Sequence, residues 1–146
     1  MKGRIGLVTI LTDDVPSMKS FYKDVLSFEV NEDLGDYVEF ANEGVRFAVC
    51  TRHVMHEGTK HPSYRVPGTG QAFELAFPLD SPEEVDRAYE EIVSKGATPV
   101  KGPEMMPWER RTAFFADPEG EHPRALLPQA RGAGVASAGC EALGSP

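Results

Sequence analysis

Cysteine is scarce in this chain: there are two among 146 residues, and Cys50 and Cys140 lie far apart. That spacing argues against a disulfide framework and for a reducing compartment. Basic residues are outnumbered, 15 against 23 acidic, for a formal net charge of −8. A balance of that sign argues against nucleic acid and anionic membranes as partners. No apolar run approaches the roughly 18–20 residues that span a bilayer. Met1-Lys2-Gly3-Arg4 passes straight into a strand-like run, without the apolar segment and cleavage site of a signal peptide. The expectation is a cytoplasmic protein. A phosphate-cradling glycine loop, a nucleophile elbow and a zinc-type cysteine pattern are also missing.

What is present reads as two similar halves. Ile5–Leu11 is strand-like, and Asp13 or Asp14 is placed to cap a helix with Pro16 in its first turn. Met18, Phe21, Tyr22, Val25 and Leu26 follow at helical spacing, which predicts a helix over about Val15–Leu26. Short strands are predicted at Phe28–Val30, Tyr37–Phe40 and Val45–Cys50, separated by turn signals around Gly35 and Gly44. The order then repeats. Ala72–Leu79 is a strand, and Ser81-Pro82-Glu83-Glu84 opens a helix over Pro82–Lys95 that Gly96 ends. Thr98–Val100 and Thr112–Ala116 are the next strands. The reading is one α+β domain over residues 1–128, built from two βαβββ modules (about 3–51 and 71–127) joined by a loop over 52–70. Residues 129–146 are mostly Ala, Gly, Ser and Pro and predict a disordered tail.

Four motifs occur in the order of a known family. These are the Phe21-Tyr22-Lys23-Asp24-Val25-Leu26 helix, the Phe73-Glu74-Leu75-Ala76-Phe77 strand, the Pro107-Trp108 turn and the Phe115-Ala116-Asp117-Pro118-Glu119-Gly120 hairpin. The chain thereby resembles the vicinal oxygen chelate superfamily, which includes glyoxalases, bleomycin-resistance proteins and extradiol dioxygenases. The resemblance implies that the modules form a curved, half-open mixed sheet that cups a small ligand, often with one divalent metal, and that the protein is a homodimer.

It also implies four inward-facing ligand positions. Here they fall on Leu7, on Ala48 or Cys50, on or near Glu74, and on Arg124, a set too poor in carboxylate and imidazole for a divalent ion. The expected cofactor is therefore none, although relatives use a metal. The candidate pocket comprises Leu7, Cys50, Glu74, Trp108, Phe114 and Arg124. Glu74 is the candidate base or counter-ion if buried, with pairing to Arg111 or Arg124 as the alternative. Trp108 suggests an aromatic lid, but Glu109 stands where relatives have Gly. His53, His56 and His61 have metal-like spacing, yet Gly58, Thr59 and Pro62 favour a solvated loop. Two functions follow: a metal-independent small-molecule binding protein, or a metal-dependent lyase or dioxygenase whose C-terminal ligand is lost.

The closing hairpin carries the departure. The family pattern continues after Gly120 with Asn, two residues and a metal-ligating Glu, whereas this chain has Glu121-His122-Pro123-Arg124. The codons for Gly120–Leu126 can be chosen so that deleting one nucleotide yields Gly-Asn-Ile-His-Glu-Leu-Phe, with Glu in the slot of Arg124. A frame shift near Gly120, with an out-of-frame tail, is one reading, and a divergent terminus is the other. Since Pro123 has no amide for a ladder, the expectation is a short, poorly paired last strand with Arg124 facing the cup.

Overall fold

The computed structural model describes residues 3–68, 73–119 and 123–128. The predicted tail at 129–146 and the turn residues Glu121 and His122 lie outside the described residues. Strands β1 (Leu7–Thr12), β2 (Val30–Asp33), β3 (Tyr37–Phe40) and β4 (Arg46–Thr51) form one four-stranded mixed sheet in the order β1-β4-β3-β2. Strands β5 (Leu75–Leu79), β6 (Thr98–Met105), β7 (Arg111–Ala116) and β8 (Pro123–Pro128) form a second, ordered β5-β8-β7-β6. Adding four to each strand number of the first sheet gives the second. In both sheets the first and last strands pair in parallel and the other pairs are antiparallel. The βαβββ repeat is thus present as two open sheets, and no strand pairing joins them among the described residues.

The helices start where their caps dictate. Asp14 accepts from the Ser17 amide at the head of α1 (Val15–Ser20), with Pro16 in the first turn. In α3 (Pro82–Ser94), the Ser81 hydroxyl accepts from the Glu84 amide, and the Glu84 carboxylate accepts from the Asp80 amide. This near-reciprocal cap satisfies two amides that would otherwise lack partners. Gly96, at φ +110°, follows the last turn in a conformation that disfavours any side chain. From Phe21 to Val25 the first helix widens into a π-type turn, with the Leu26 amide bonded to the Phe21 carbonyl at 3.2 Å. The wider turn lets the adjacent residues Phe21 and Tyr22 both point inward, and both are buried.

One core joins the modules. Met18, Tyr22, Val38, Phe40, Phe47 and Val49 pack on the helix side of the first sheet, while Val85, Ile92, Ala113, Phe115 and Leu126 do so on the second. The Phe21 ring lies 6.2 Å from Phe115 and the Phe28 ring 6.0 Å from Phe77, so aromatic contacts cross between modules. Each such side chain, fully buried, contributes roughly 1.5–3 kcal/mol.

Three sequence expectations are corrected. The strand expected at Phe28–Val30 lies later, at Val30–Asp33. The segment read as a loop at 52–70 contains helix α2 (Arg52–Thr59), capped by the Thr51 hydroxyl, and a 3-10 turn at Pro62–Arg65. Finally, β8 is neither short nor poorly paired. It runs six residues and is bonded in parallel to β5 and antiparallel to β7. Pro123 takes the first position of the strand, where a missing amide is tolerated. The sequence as written therefore builds a paired closing strand, and the out-of-frame reading loses the defect that motivated it.

Candidate functional site

Strand alternation gives each sheet a helix-facing side and an opposite side. On the opposite side of the first sheet stand Leu7, Thr9 and Leu11 from β1, Arg46, Ala48 and Cys50 from β4, and Tyr37 and Glu39 from β3. On the second sheet the equivalent positions are Ala76 and Pro78 from β5, Ala125 and Leu127 from β8, and Phe114 from β7. These faces correspond to the cup that the sequence led us to expect.

The expected pocket residues divide. Leu7 is 40% exposed at the start of β1. Cys50 is buried, and burial, with Asp36 nearby, pushes its thiol up, away from nucleophile character. Phe114 is half-buried beside Ala125. Trp108 is 54% exposed in the β6–β7 turn and covers nothing fully. Glu109 adopts φ +61°, so the glycine-like shape of this turn is kept by a residue that disfavours it. Glu74 is exposed just before β5, which removes the burial on which its role as a base depended. Neither suggested partner takes it: Arg111 bonds Asp86 of α3 at 2.6 Å, and Arg124 bonds Asp117.

Arg124 is the main correction. Its side chain points to the core, not to the cup, and has no exposed surface. Nη2 donates to Asp117 Oδ2 at 2.6 Å and Nε to the Tyr22 hydroxyl at 3.2 Å, while the guanidinium lies 5.7 Å from the centre of the Phe73 ring. Asp117 is 1% exposed and Tyr22 is fully buried, and burial pushes the Tyr22 phenol well above its ordinary range. The position implied to carry a ligand on the cup side is thus turned inward, and Ala125 faces outward beside it.

The polar group that does occupy the outward face was missed from the sequence. Glu39 accepts from the Tyr37 hydroxyl at 2.7 Å, from Arg46 Nε at 3.1 Å and from Asn31 at 3.5 Å, and its carboxyl falls to about 2 because these donors hold the charge. The Tyr37-x-Glu39 spacing on a strand was the available signal, since it places both on one face.

The residues present do not fit a divalent cation. Leu7 and Ala48 offer no donor, the Cys50 thiol is buried and protonated, and Arg124 points away. Among the described residues, no group of three or more His, Cys, Asp or Glu is placed to hold a metal. His53 and His56 lie on α2, and His56 Nε2 accepts from Arg65 at 2.8 Å, so that ring is engaged and not free to ligate. A cleft of about 550 Å³ runs between Pro16, Phe21, Asp24, Lys95 and Pro118, and another of about 410 Å³ lies beside Leu26 and Phe28. Neither includes a residue of the sequence-derived pocket.

Residues 4–122 match the family model described as the Glyoxalase/Bleomycin resistance protein/Dioxygenase superfamily. The chain belongs to that superfamily. The match ends just before β8, where the sequence departs from the motif. Among solved structures, the chain is similar to a glyoxalase/bleomycin resistance protein/dioxygenase from Nocardioides, at 25% identity and a TM-score of 0.75, over 88% of this chain and 86% of that one. A glyoxalase/bleomycin resistance protein/dioxygenase family enzyme from Burkholderia phytofirmans PsJN gives 23% identity and a TM-score of 0.74, over 84% and 96% of the two chains. Lactoylglutathione lyase from Agrobacterium tumefaciens gives 19% and 0.64, over 88% and 95%. No curated protein matches the sequence. Superfamily membership establishes the scaffold and leaves the chemistry to the site. No helix among the described residues is long and apolar enough to cross a membrane.

Proposed function

We propose that this superfamily member is a metal-independent small-molecule binding protein of the glyoxalase/bleomycin-resistance type, acting by sequestration. The observation that carries the reading is the side-chain set at the implied ligand positions: Leu7, Ala48 or Cys50, an exposed Glu74, and Arg124 turned into the core. The faces that remain are largely apolar. Ala76, Ala125, Phe114 and Leu127 would suit a flat apolar body, with the Tyr37–Glu39–Arg46 cluster as a polar rim. The reading includes a cytoplasmic homodimer made of single domains over residues 1–128, since open sheets with exposed Ile5 and Leu7 leave edge and apolar surface to cover.

The test is elemental analysis combined with ligand-induced thermal shift on the full chain, with and without chelator. Expected is no stoichiometric metal and a set of small apolar compounds that raise the melting temperature equally under both conditions. Stoichiometric metal, or stabilisation abolished by chelator, would overturn the proposal and favour a lyase or dioxygenase. Sedimentation showing a stable monomer at high concentration would remove the dimer.

A further inference from the structure

Hydrophobic patterning alone does not explain the register of β8. In the observed register Arg124 and Leu126 face the core, opposite Phe115 and Ala113, while Ala125 and Leu127 face outward. Sliding the strand by one residue would reverse every side chain. Ala125 and Leu127 would then enter the core and Arg124 would reach solvent, a distribution that elementary burial energetics prefers. Something specific must hold the cation inside. Two of its partners sit at fixed points: Tyr22 on the first helix, and Asp117 at the end of β7, both buried. Phe73 offers its ring face to the same guanidinium.

We propose that Tyr22, Asp117 and Arg124 form a register lock that selects which face of the closing strand meets the ligand. Buried ionic groups have their best-attested use in choosing one register among competitors of similar stability. Tyr22 belongs to the first module and Asp117 to the second, so the lock also keys the closing strand of one module to the helix of the other. Its consequence for the outward face is direct. With Arg124 inside, the position between Ala76 and Phe114 is held by Ala125 and carries no charge.

Cross-strand contacts measured by NMR on the full chain test this. The parent should show Phe115 opposite Arg124 and Ala113 opposite Leu126. Removing both partners, with Tyr22→Phe and Asp117→Asn, leaves the cation unpaired, and the contacts of β8 should move by one residue as Arg124 leaves the core. Adding Arg124→Met to that pair of changes should restore the parent contacts, because an apolar residue at 124 now favours the inward position. The proposal is overturned if the doubly substituted protein keeps the parent register, or if the triply substituted protein shows the displaced one. It is also overturned if the doubly substituted protein fails to fold, since an available second register would keep it folded.

Discussion

Arg46 reaches from β4 to Glu39 on β3, with Nε 3.1 Å from one carboxylate oxygen and 3.2 Å from the other, and Nη2 closing the fork. This clamp has a pH signature. The Glu39 carboxyl falls from an ordinary 4.5 to about 2, led by the bond from Arg46 and then that from Tyr37. A carboxyl depressed in the folded state adds stability above its unfolded value and loses it as pH falls toward the folded one. The contribution should therefore be complete above about pH 4.5 and disappear toward pH 2. Thermal melts across that window should show Glu39→Gln with a flatter acid limb than the parent, and equal limbs would contradict the assignment.

Glu109 holds a left-handed backbone at φ +61° in the turn after Trp108. A side chain there costs roughly 1–2 kcal/mol, which glycine largely avoids while losing some of the gain to its freer unfolded chain. Glu109→Gly should raise the denaturation midpoint by about 0.5–1 kcal/mol equivalent. A lower midpoint would show that the Glu109 side chain supports the turn.

Phe115 is fully buried and touches both modules, with Phe21 on one side and Phe77 on the other. Phe115→Ala should cost about 3–5 kcal/mol in chemical denaturation. The same change at Phe73, which is 41% exposed, should cost clearly less. Equal losses would mean that the intermodule core is less continuous than the ring distances indicate.

Ser81 caps α3 through the Glu84 amide at 3.2 Å. Ser81→Ala should cost about 1 kcal/mol, and Ser81→Asp should recover most of it. Urea titrations of the pair would show a different mechanism if Asp failed to rescue.

The repeat, both helices and their caps were legible because helical spacing and cap chemistry are local. Ser81-Pro82-Glu83-Glu84 announces its helix whatever surrounds it. The α2 helix was not legible, because Gly58 and Pro62 signal a break and only the Thr51 cap with the four-residue ladder behind it overrides them. Leu7 could be placed on the cup side from alternation alone. Arg124 could not, since an arginine between Pro123 and an apolar run reads as solvent-facing until Asp117 and Tyr22 are known to be waiting behind it. Glu74 failed for the related reason that burial belongs to tertiary packing and not to strand pattern.

The π-type turn at Phe21–Val25 sets a limit on how this chain can change in length. Such a turn is equivalent to one residue inserted into an ordinary α-helix. Deleting a residue such as Lys23 would let the segment relax into a regular helix, but everything after the deletion would then swing by about 100° around the axis. Phe21 and Tyr22 could no longer both be satisfied, since one meets Phe115 of the second sheet while the other meets Phe47 of the first. A one-residue deletion here should thus act on both halves of the molecule at once, whereas one in the exposed β2–β3 turn would stay local. The helix surface offers no hint of this intolerance, because Lys23 and Asp24 are themselves exposed and interchangeable in kind.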